Sequence, residues 1–398
     1  MSGPLSGLKV LDIATIIAAP SAASLLGDYG AEVVKVELPG RGDGARGYPP
    51  FKDGKPLWWK VINRGKRFVT LDLRTPEGQA LFKRMLPHFD VLVENYRPGT
   101  LDRWGLDRDT LWSIHKRLVI LRASGYGQTG PYRRRAGFAR LFESMGGLTY
   151  ITGEPDGAPT HAGYPIGDAV GGLFGAAGIL AALWRVARDP DAPGEEIDLA
   201  LTEASFKMLE FLAIGYDQLG KVHERSGNTS QYSAPSDVLR TRDDRWVSLS
   251  GSTDGLFANN CRAIGRPDLI ESERFRTNAL RVQNAIELNG IFRDWAALRT
   301  LDEVMAAVEE HNGSMGPVYS IDQIFDDPQM KARDMICEVP DGDFGSVRMQ
   351  NVVPRFTNAP TRIERSAGAL GEHNEQIYGD WLGMSADELA ALRAKGVI

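Results

Sequence analysis

The stretch Tyr164-Pro165-Ile166-Gly167-Asp168-Ala169-Val170-Gly171-Gly172 sets one carboxylate between an apolar turn and a Gly/Ala-rich run, which reads as a helix from Leu173 to about Arg188. An acid placed there sits at a helix amino terminus, where the first backbone N–H groups and the dipole favour negative charge. Two chemistries fit it. Asp is among the preferred N-cap residues, so Asp168 reads as a cap. The second is a carboxylate nucleophile held where a strand or loop meets a helix, with Gly167, Gly171 and Gly172 clearing room for a substrate; spacing alone favours the cap.

The elements that must position this acid follow a strand–helix pattern. Lys9–Ile13 reads as a short buried strand, Ala18–Gly30 as a small-residue helix opened by Pro20, and Ala31–Glu37 as a second strand. That unit predicts a parallel, doubly wound sheet. Further strands are expected at Phe68–Leu73, Asp90–Glu94, Leu118–Ala123 and Glu195–Leu199, with helices at Pro76–Pro87 and Thr202–Gly215. Ligands of open α/β sheets bind beyond the carboxyl ends of the strands, so the turns after Ile13, Glu94 and Ala123 are candidate walls of one pocket. Gly40-Arg41-Gly42-Asp43-Gly44 looks like part of a dinucleotide fingerprint but follows the second strand, and no phosphate-binding GxxxxGK[ST] is present.

The texture changes near residue 222. A polar loop at Gly227–Tyr232 and a strand at Trp246–Leu249 precede a mainly helical run over 254–311, with Leu269, Phe275, Ala279, Val282, Ile286, Leu288, Ile291 and Trp295 spaced for an apolar face. Residues 226–325 read as a smaller α+β domain. Residues 1–225 and 326–398 read as the larger, Rossmann-like α/β domain, to which the chain returns with a strand at Val347–Val353 and a helical tail at Gly371–Ile398.

A chain of 398 residues is longer than one core usually supports, which agrees with two domains. A net charge of −6 argues against a nucleic-acid or anionic-membrane surface. Cys261 and Cys337 stand far apart and in no metal-ligand spacing, so no metal is expected and a reduced, cytoplasmic setting is. Met1–Leu5 lacks the basic and apolar regions of a leader, and the Ala/Gly-rich 169–186 segment is too rich in small residues to read as a membrane span.

Several runs resemble, in order and spacing, the family III CoA-transferases, the group of formyl-CoA transferase, carnitine CoA-transferase and α-methylacyl-CoA racemase. They are Pro4–Asp12, Gly30–Glu37, Asn63-Arg64-Gly65-Lys66-Arg67, Val93-Glu94-Asn95-Tyr96-Arg97-Pro98-Gly99, Ser124–Pro131 and the Gly167-Asp168 turn. Gly316-Pro317-Val318, Asp327-Pro328-Gln329 with Ala332-Arg333, and Leu370-Gly371-Glu372-His373 extend the likeness to the carboxyl end. The resemblance implies two interlocked subunits. It implies that Asp168 attacks an acyl-CoA thioester, giving an aspartyl anhydride and then an aspartyl-CoA thioester. CoA enters as a substrate thioester and no tightly bound cofactor is expected.

By position, the resemblance carries CoA contacts to Ile16, Ala18, Leu71, Arg74, Asn95, Tyr96 and Arg103, the arginines meeting phosphates. Tyr48 replaces a Trp and is expected to line the acyl pocket; Gly227 and Asn228 fall in a loop that closes over intermediates in formyl-CoA transferase. Phe138 stands thirty residues before Asp168, where the racemase branch has a His, and Phe cannot move a proton. Arg140 or Arg46 is a candidate for the distal carboxylate of a dicarboxylic substrate. The resulting expectation is CoA transfer from succinyl-CoA or a similar donor to a small, dicarboxylic acid. The alternatives are intramolecular transfer within an unsaturated dicarboxylyl-CoA and, less favoured by Phe138, racemisation.

Overall fold

The computed structural model describes residues 3–398; Met1 and Ser2, part of the amino-terminal stretch read for a leader, lie outside the described residues. The chain forms two compact units, 1–149 with 162–220 and 334–398, and 150–161 with 221–333. The second unit therefore also takes in 150–161, 221–225 and 326–333, which the sequence pattern assigns to the larger domain.

In the larger unit, strands β1 (Lys9–Asp12), β2 (Glu32–Glu37), β3 (Arg67–Thr70), β4 (Val91–Glu94), β5 (Val119–Ser124) and β6 (Glu196–Ala200) form one parallel sheet. Their order is β3-β2-β1-β4-β5-β6. The chain starts at the centre, works out to one edge, and returns to the other side of β1, so the order reverses between β1 and β4. Side chains alternate between two buried faces, as a doubly covered strand requires. Leu11, Val34, Leu92 and Ile120 face a layer formed by Phe82 and Met85 of the helix Pro76–Met85 and by Ile377, Tyr378 and Ile398 of the returning tail. Val10, Val33, Val91, Val93 and Leu121 face helices α1 (Ala18–Asp28) and α2 (Ile166–Arg188), through Ala22, Ala23, Leu26, Ala176 and Ile179.

Helix α2 begins seven residues before the expected Leu173, with Pro165 as its uncapped N-cap, so Asp168 lies inside the first turn and is not the cap. By length and apolar composition alone this helix could cross a membrane, but its glycine face is buried against protein. A Cβ on Gly172 would stand 2.8 Å from the Ser21 Cβ and 3.3 Å from the Ala18 carbonyl oxygen, and one on Gly175 3.1 Å from the Ala22 Cβ. These glycines let two helix backbones approach one another. They clear room for protein, not for substrate.

The smaller unit pairs three antiparallel strands, β7 (Ser236–Arg240), β8 (Trp246–Ser250) and β9 (Met315–Pro317), in the order β9-β8-β7. Its core joins Leu239, Val247 and Leu249 to Phe257, Leu288, Phe292 and Val304 of the helices. The expected apolar face over 269–295 fails at Ile286, which is 87% exposed. The helix Asn278–Gln283 ends at Asn284 and a new one starts at Ala285, so the helical phase slips there.

Gly172→Val should lose about 1–3 kcal/mol of stability through overpacking. Gly290→Ala, at an open helical site with nothing within 4 Å of an added Cβ, should hold or gain stability. Urea unfolding of both variants checks the contrast, and equal stability would contradict the helix-contact role of Gly172.

Candidate active site

The sheet's reversal point is tied by a reciprocal pair. The Thr15 N–H donates to Asn95 Oδ1 at 2.8 Å, and Asn95 Nδ2 donates to the Thr15 carbonyl at 2.7 Å. Asn95 thus joins the turns after β1 and β4. The next residue, Ile16, has φ +71, a left-handed conformation that a β-branched side chain rarely adopts. Its N–H donates to Asp43 Oδ1 at 3.0 Å, and that contact holds the strained turn.

Asp43 belongs to a buried charge cluster beneath this turn. Lys35 Nζ lies 2.9 Å from Asp43 Oδ2 and 3.8 Å from Asp12 Oδ1, and Lys66 Nζ lies 2.8 Å from Asp12 Oδ2. Burial works against the Lys35 charge, but Asp12, Asp43 and Glu37 outweigh it and raise its pKa. Burial works against Asp43 too, and the Lys35 ammonium with the Ala45 and Ile16 amides holds its carboxyl below the usual range. Lys66 is pushed down to about 8 by burial, with the Lys35 charge adding to the effect. Glu37 Oε2 accepts from the Asp43 N–H at 3.0 Å and from Arg46 Nε at 2.7 Å. Arg46 is therefore engaged by Glu37 and stacked on Trp59, 4.0 Å from the ring centre, rather than offered to a substrate.

Asp168 is set by helix α2 and by the short helix Ala139–Met145. Glu143 of that helix accepts from the Gly167 N–H at 2.8 Å, so it supplies the cap that Asp168 does not. The close approach requires glycine at 167, where a Cβ would meet Glu143 Cγ at 3.1 Å. No donor among the described residues reaches the buried Asp168 carboxylate. Burial, then the Glu143 carboxylate, push its pKa up to about 6. The helix terminus favours the ionised form, but desolvation without a hydrogen bond wins.

Asp168 opens into a cavity of about 400 Å³ walled by Thr15–Ala18, Asn95–Pro98, Ala123–Gly125 and Phe138, the three turns the strand reading singled out. Ile16, Ala18, Asn95 and Tyr96 line it, as does Tyr48, whose ring meets Trp58 and, through it, Tyr164. A second cavity of about 270 Å³ shares Thr15, Ile16 and Tyr96 with the first and reaches Leu71 and Arg74. Together they make a groove across the carboxyl ends of β3, β2, β1, β4 and β5. Arg74 is held by Asp72 through two hydrogen bonds of 2.7 and 2.8 Å. Arg103 and Arg140 are exposed and line neither cavity; Arg103 donates to Thr100 Oγ1. Gly227 and Asn228 belong to the smaller unit, where Gly227 takes φ +58 and donates to the Gly153 carbonyl.

The model of the CoA-transferase family III matches residues 5–374. This chain belongs to CoA-transferase family III. Over 396 residues it is 40% identical to the succinyl-CoA–D-citramalate CoA-transferase of Chloroflexus aurantiacus, covering 99% of this chain and 98% of that one. It is 41% identical over 399 residues to the β subunit of the succinyl-CoA–L-malate CoA-transferase of the same organism, covering 99% and 98%. The crystal structure of a CaiB/BaiF family protein from Brucella suis aligns with a TM-score of 0.82 at 33% identity, covering 96% of this chain and 100% of that one.

Sequence reasoning for this family III CoA-transferase did not single out Arg41, which lines the second cavity, or Ser124, Arg133 and Arg135, which line the first. Arg133-Arg134-Arg135 reads locally as a solvated charge run, and only the loop path after β5 brings two of its members to the cavity.

Because the folded pKa of Asp168 stands above its unfolded value, its ionised form costs stability at neutral pH, and that cost vanishes as pH falls below about 4. Asp168→Asn should therefore raise stability at pH 8 by roughly 1–3 kcal/mol, with the gain shrinking between pH 6 and 4. Denaturant titrations across that range check it; a variant less stable than wild type at pH 8 would contradict the unsatisfied-carboxylate geometry.

Proposed function

We propose that this enzyme transfers CoA between succinyl-CoA and a short dicarboxylic acid, with Asp168 as the nucleophile. The observation that carries the reading is the buried, donor-free Asp168 carboxylate at one end of the groove. A carboxylate raised to about 6 is largely ionised at pH 7 yet poorly solvated, which suits nucleophilic attack.

The steps are as follows. An Asp168 Oδ attacks the thioester carbonyl carbon, and the C–S bond breaks to release CoA thiolate and leave a mixed aspartyl anhydride. The thiolate attacks the aspartyl carbonyl, forming an aspartyl-CoA thioester and freeing the first acid as its carboxylate. The incoming carboxylate attacks the same carbonyl and expels thiolate again. That thiolate takes the new acyl carbonyl, giving the product CoA ester and restoring Asp168. The amino end of α1 borders the cavity at Ile17 and Ala18 without a side-chain cap, so its first-turn N–H groups are available to the oxyanions that form. Ile16, Asn95 and Tyr96 are the proposed bed for the CoA arm, with Leu71 and Arg74 toward its nucleotide end.

Two relatives named for succinyl-CoA with D-citramalate or L-malate support the substrate class. Racemisation is disfavoured by the cavity, which Phe138 and Asp168 both line and whose described lining residues include no histidine. We also propose a homodimer, as the family resemblance implies. The helix Glu210–Leu219 buries none of its residues within the chain and exposes Phe211, Ile214, Tyr216 and Leu219, an apolar face suited to a second copy.

Mass spectrometry of a matrix of succinyl-, acetyl-, mesaconyl- and formyl-CoA with free mono- and dicarboxylates tests the reaction. New CoA esters should appear only when a free acid is present with the donor, and faster with dicarboxylates than with monocarboxylates; rearrangement of one dicarboxylyl-CoA alone would replace this reading with intramolecular transfer. Asp168→Ala should lower turnover by about 10³-fold or more while CoA still binds, and near-native rates would remove Asp168 as nucleophile. Sedimentation should give roughly twice 43.6 kDa; a monomer would exclude the dimer.

A further inference from the structure

The cavity at Asp168 carries more recognition chemistry than the transfer steps use. Ser124, the last residue of β5, is 9% exposed, lines the cavity, and its Oγ has no hydrogen-bond partner. A hydroxyl buried without a partner is costly, and one facing a cavity is satisfied when a polar ligand arrives. Three arginines, Arg97, Arg133 and Arg135, line the same cavity, and Asp168 is the one carboxylate among its described lining residues. None of the three forms an ion pair among the described residues. The Arg135 guanidinium instead stacks on Tyr132, 3.6 Å from the ring centre, which fixes its plane and leaves its N–H edge for an oxyanion.

Position separates these arginines into two groups. Arg97 follows Tyr96, which lines both cavities, at the sheet's reversal point. Arg133 and Arg135 lie in the loop after β5, on the side of Ser124. The second cavity has its own arginines, Arg41 and Arg74. The second cavity also carries the carboxylates of Glu37, Asp43 and Asp72, and Arg74 is spent on Asp72, so the excess of arginines over carboxylates belongs to the first cavity, at Asp168.

We propose that Ser124, Arg133 and Arg135 form the subsite for the non-reacting carboxylate of the dicarboxylic acid, and so set the preference for diacids over monoacids. This rests on the reading of the enzyme as a dicarboxylate CoA-transferase. One carboxylate of the acid faces Asp168 and exchanges CoA. The other takes the Ser124 O–H and the guanidinium edges as charge-assisted donors.

The same guanidiniums could hold CoA phosphates, and the experiment separates the two sources. Ser124→Ala, Arg133→Gln and Arg135→Gln are assayed with succinate against butyrate and glutarate against pentanoate as acceptors, from a common acetyl-CoA donor. Calorimetry with free CoA runs alongside. For each variant kcat/KM for the diacids should fall roughly 10- to 100-fold, the scale of one charged hydrogen bond. Values for the monoacids and the affinity for CoA should stay within about twofold. Weakened CoA binding in the arginine variants would reassign them to phosphate. An undiminished diacid preference in all three variants would overturn the subsite while leaving the dicarboxylate reading intact. A wild-type enzyme that prefers monoacids would instead overturn that reading and the subsite with it.

Discussion

The site depends on the contact between the Asp43 carboxylate and the Ile16 N–H. Ile16 sits in a left-handed conformation at the point where the sheet order reverses, a strain on the order of 1–3 kcal/mol. It persists because Asp43 and Asn95 together over-determine the turn. Asp43 in turn stays ionised in the interior because Lys35 lies 2.9 Å away, and Lys35 and Lys66 share Asp12. Each member satisfies the next. Removing one would strand a buried charge at a cost of about 3–5 kcal/mol, so the strain at Ile16 is supported by the whole cluster rather than by one bond.

That arrangement gives the groove its rigid midpoint. Ile16 and Tyr96 line both cavities, and the Tyr96 N–H donates to Glu94 Oε2 at 2.7 Å. Burial pushes Glu94 up to about 8 against the opposing pull of Arg122. The crossing is thus braced from below by polar groups on both strands of the reversal point. A substrate arm laid across it meets backbone and side chains that need not reorganise.

At the other end the energetic logic is inverted. Asp168 is not braced by donors, and the neighbouring Gly167 N–H donates to Glu143. A carboxylate in that state is unfavourable for folding. The helix contacts of Gly172 and Gly175 with α1 tolerate the penalty, because they anchor α2 independently of its first turn.

The parallel strands, the three turns that wall the cavity and an acid beside the start of a helix were readable from residue types, because buried parallel strands and the turns after them carry strong local patterns. The start of α2 was not. Gly167, Gly171 and Gly172 each weaken a helix by about 1 kcal/mol relative to Ala, so local propensity starts it at Leu173. Close packing on α1 and Leu201 overrides that preference and draws Asp168 inside the first turn. Ile286 was misassigned because a break at Asn284 resets the helical phase, and a fixed period cannot register a break. The arginines divided the same way. The sequence pointed to Arg46 and Arg140 and passed over Arg133 and Arg135, since a guanidinium reaches far from its own backbone and residue type does not show where it lands. By itself, then, the sequence determined the strands, the turns and the acid. The tertiary structure decided which charges are spent on one another, as Arg46 is on Glu37, and which face the groove, because that depends on partners distant in the chain.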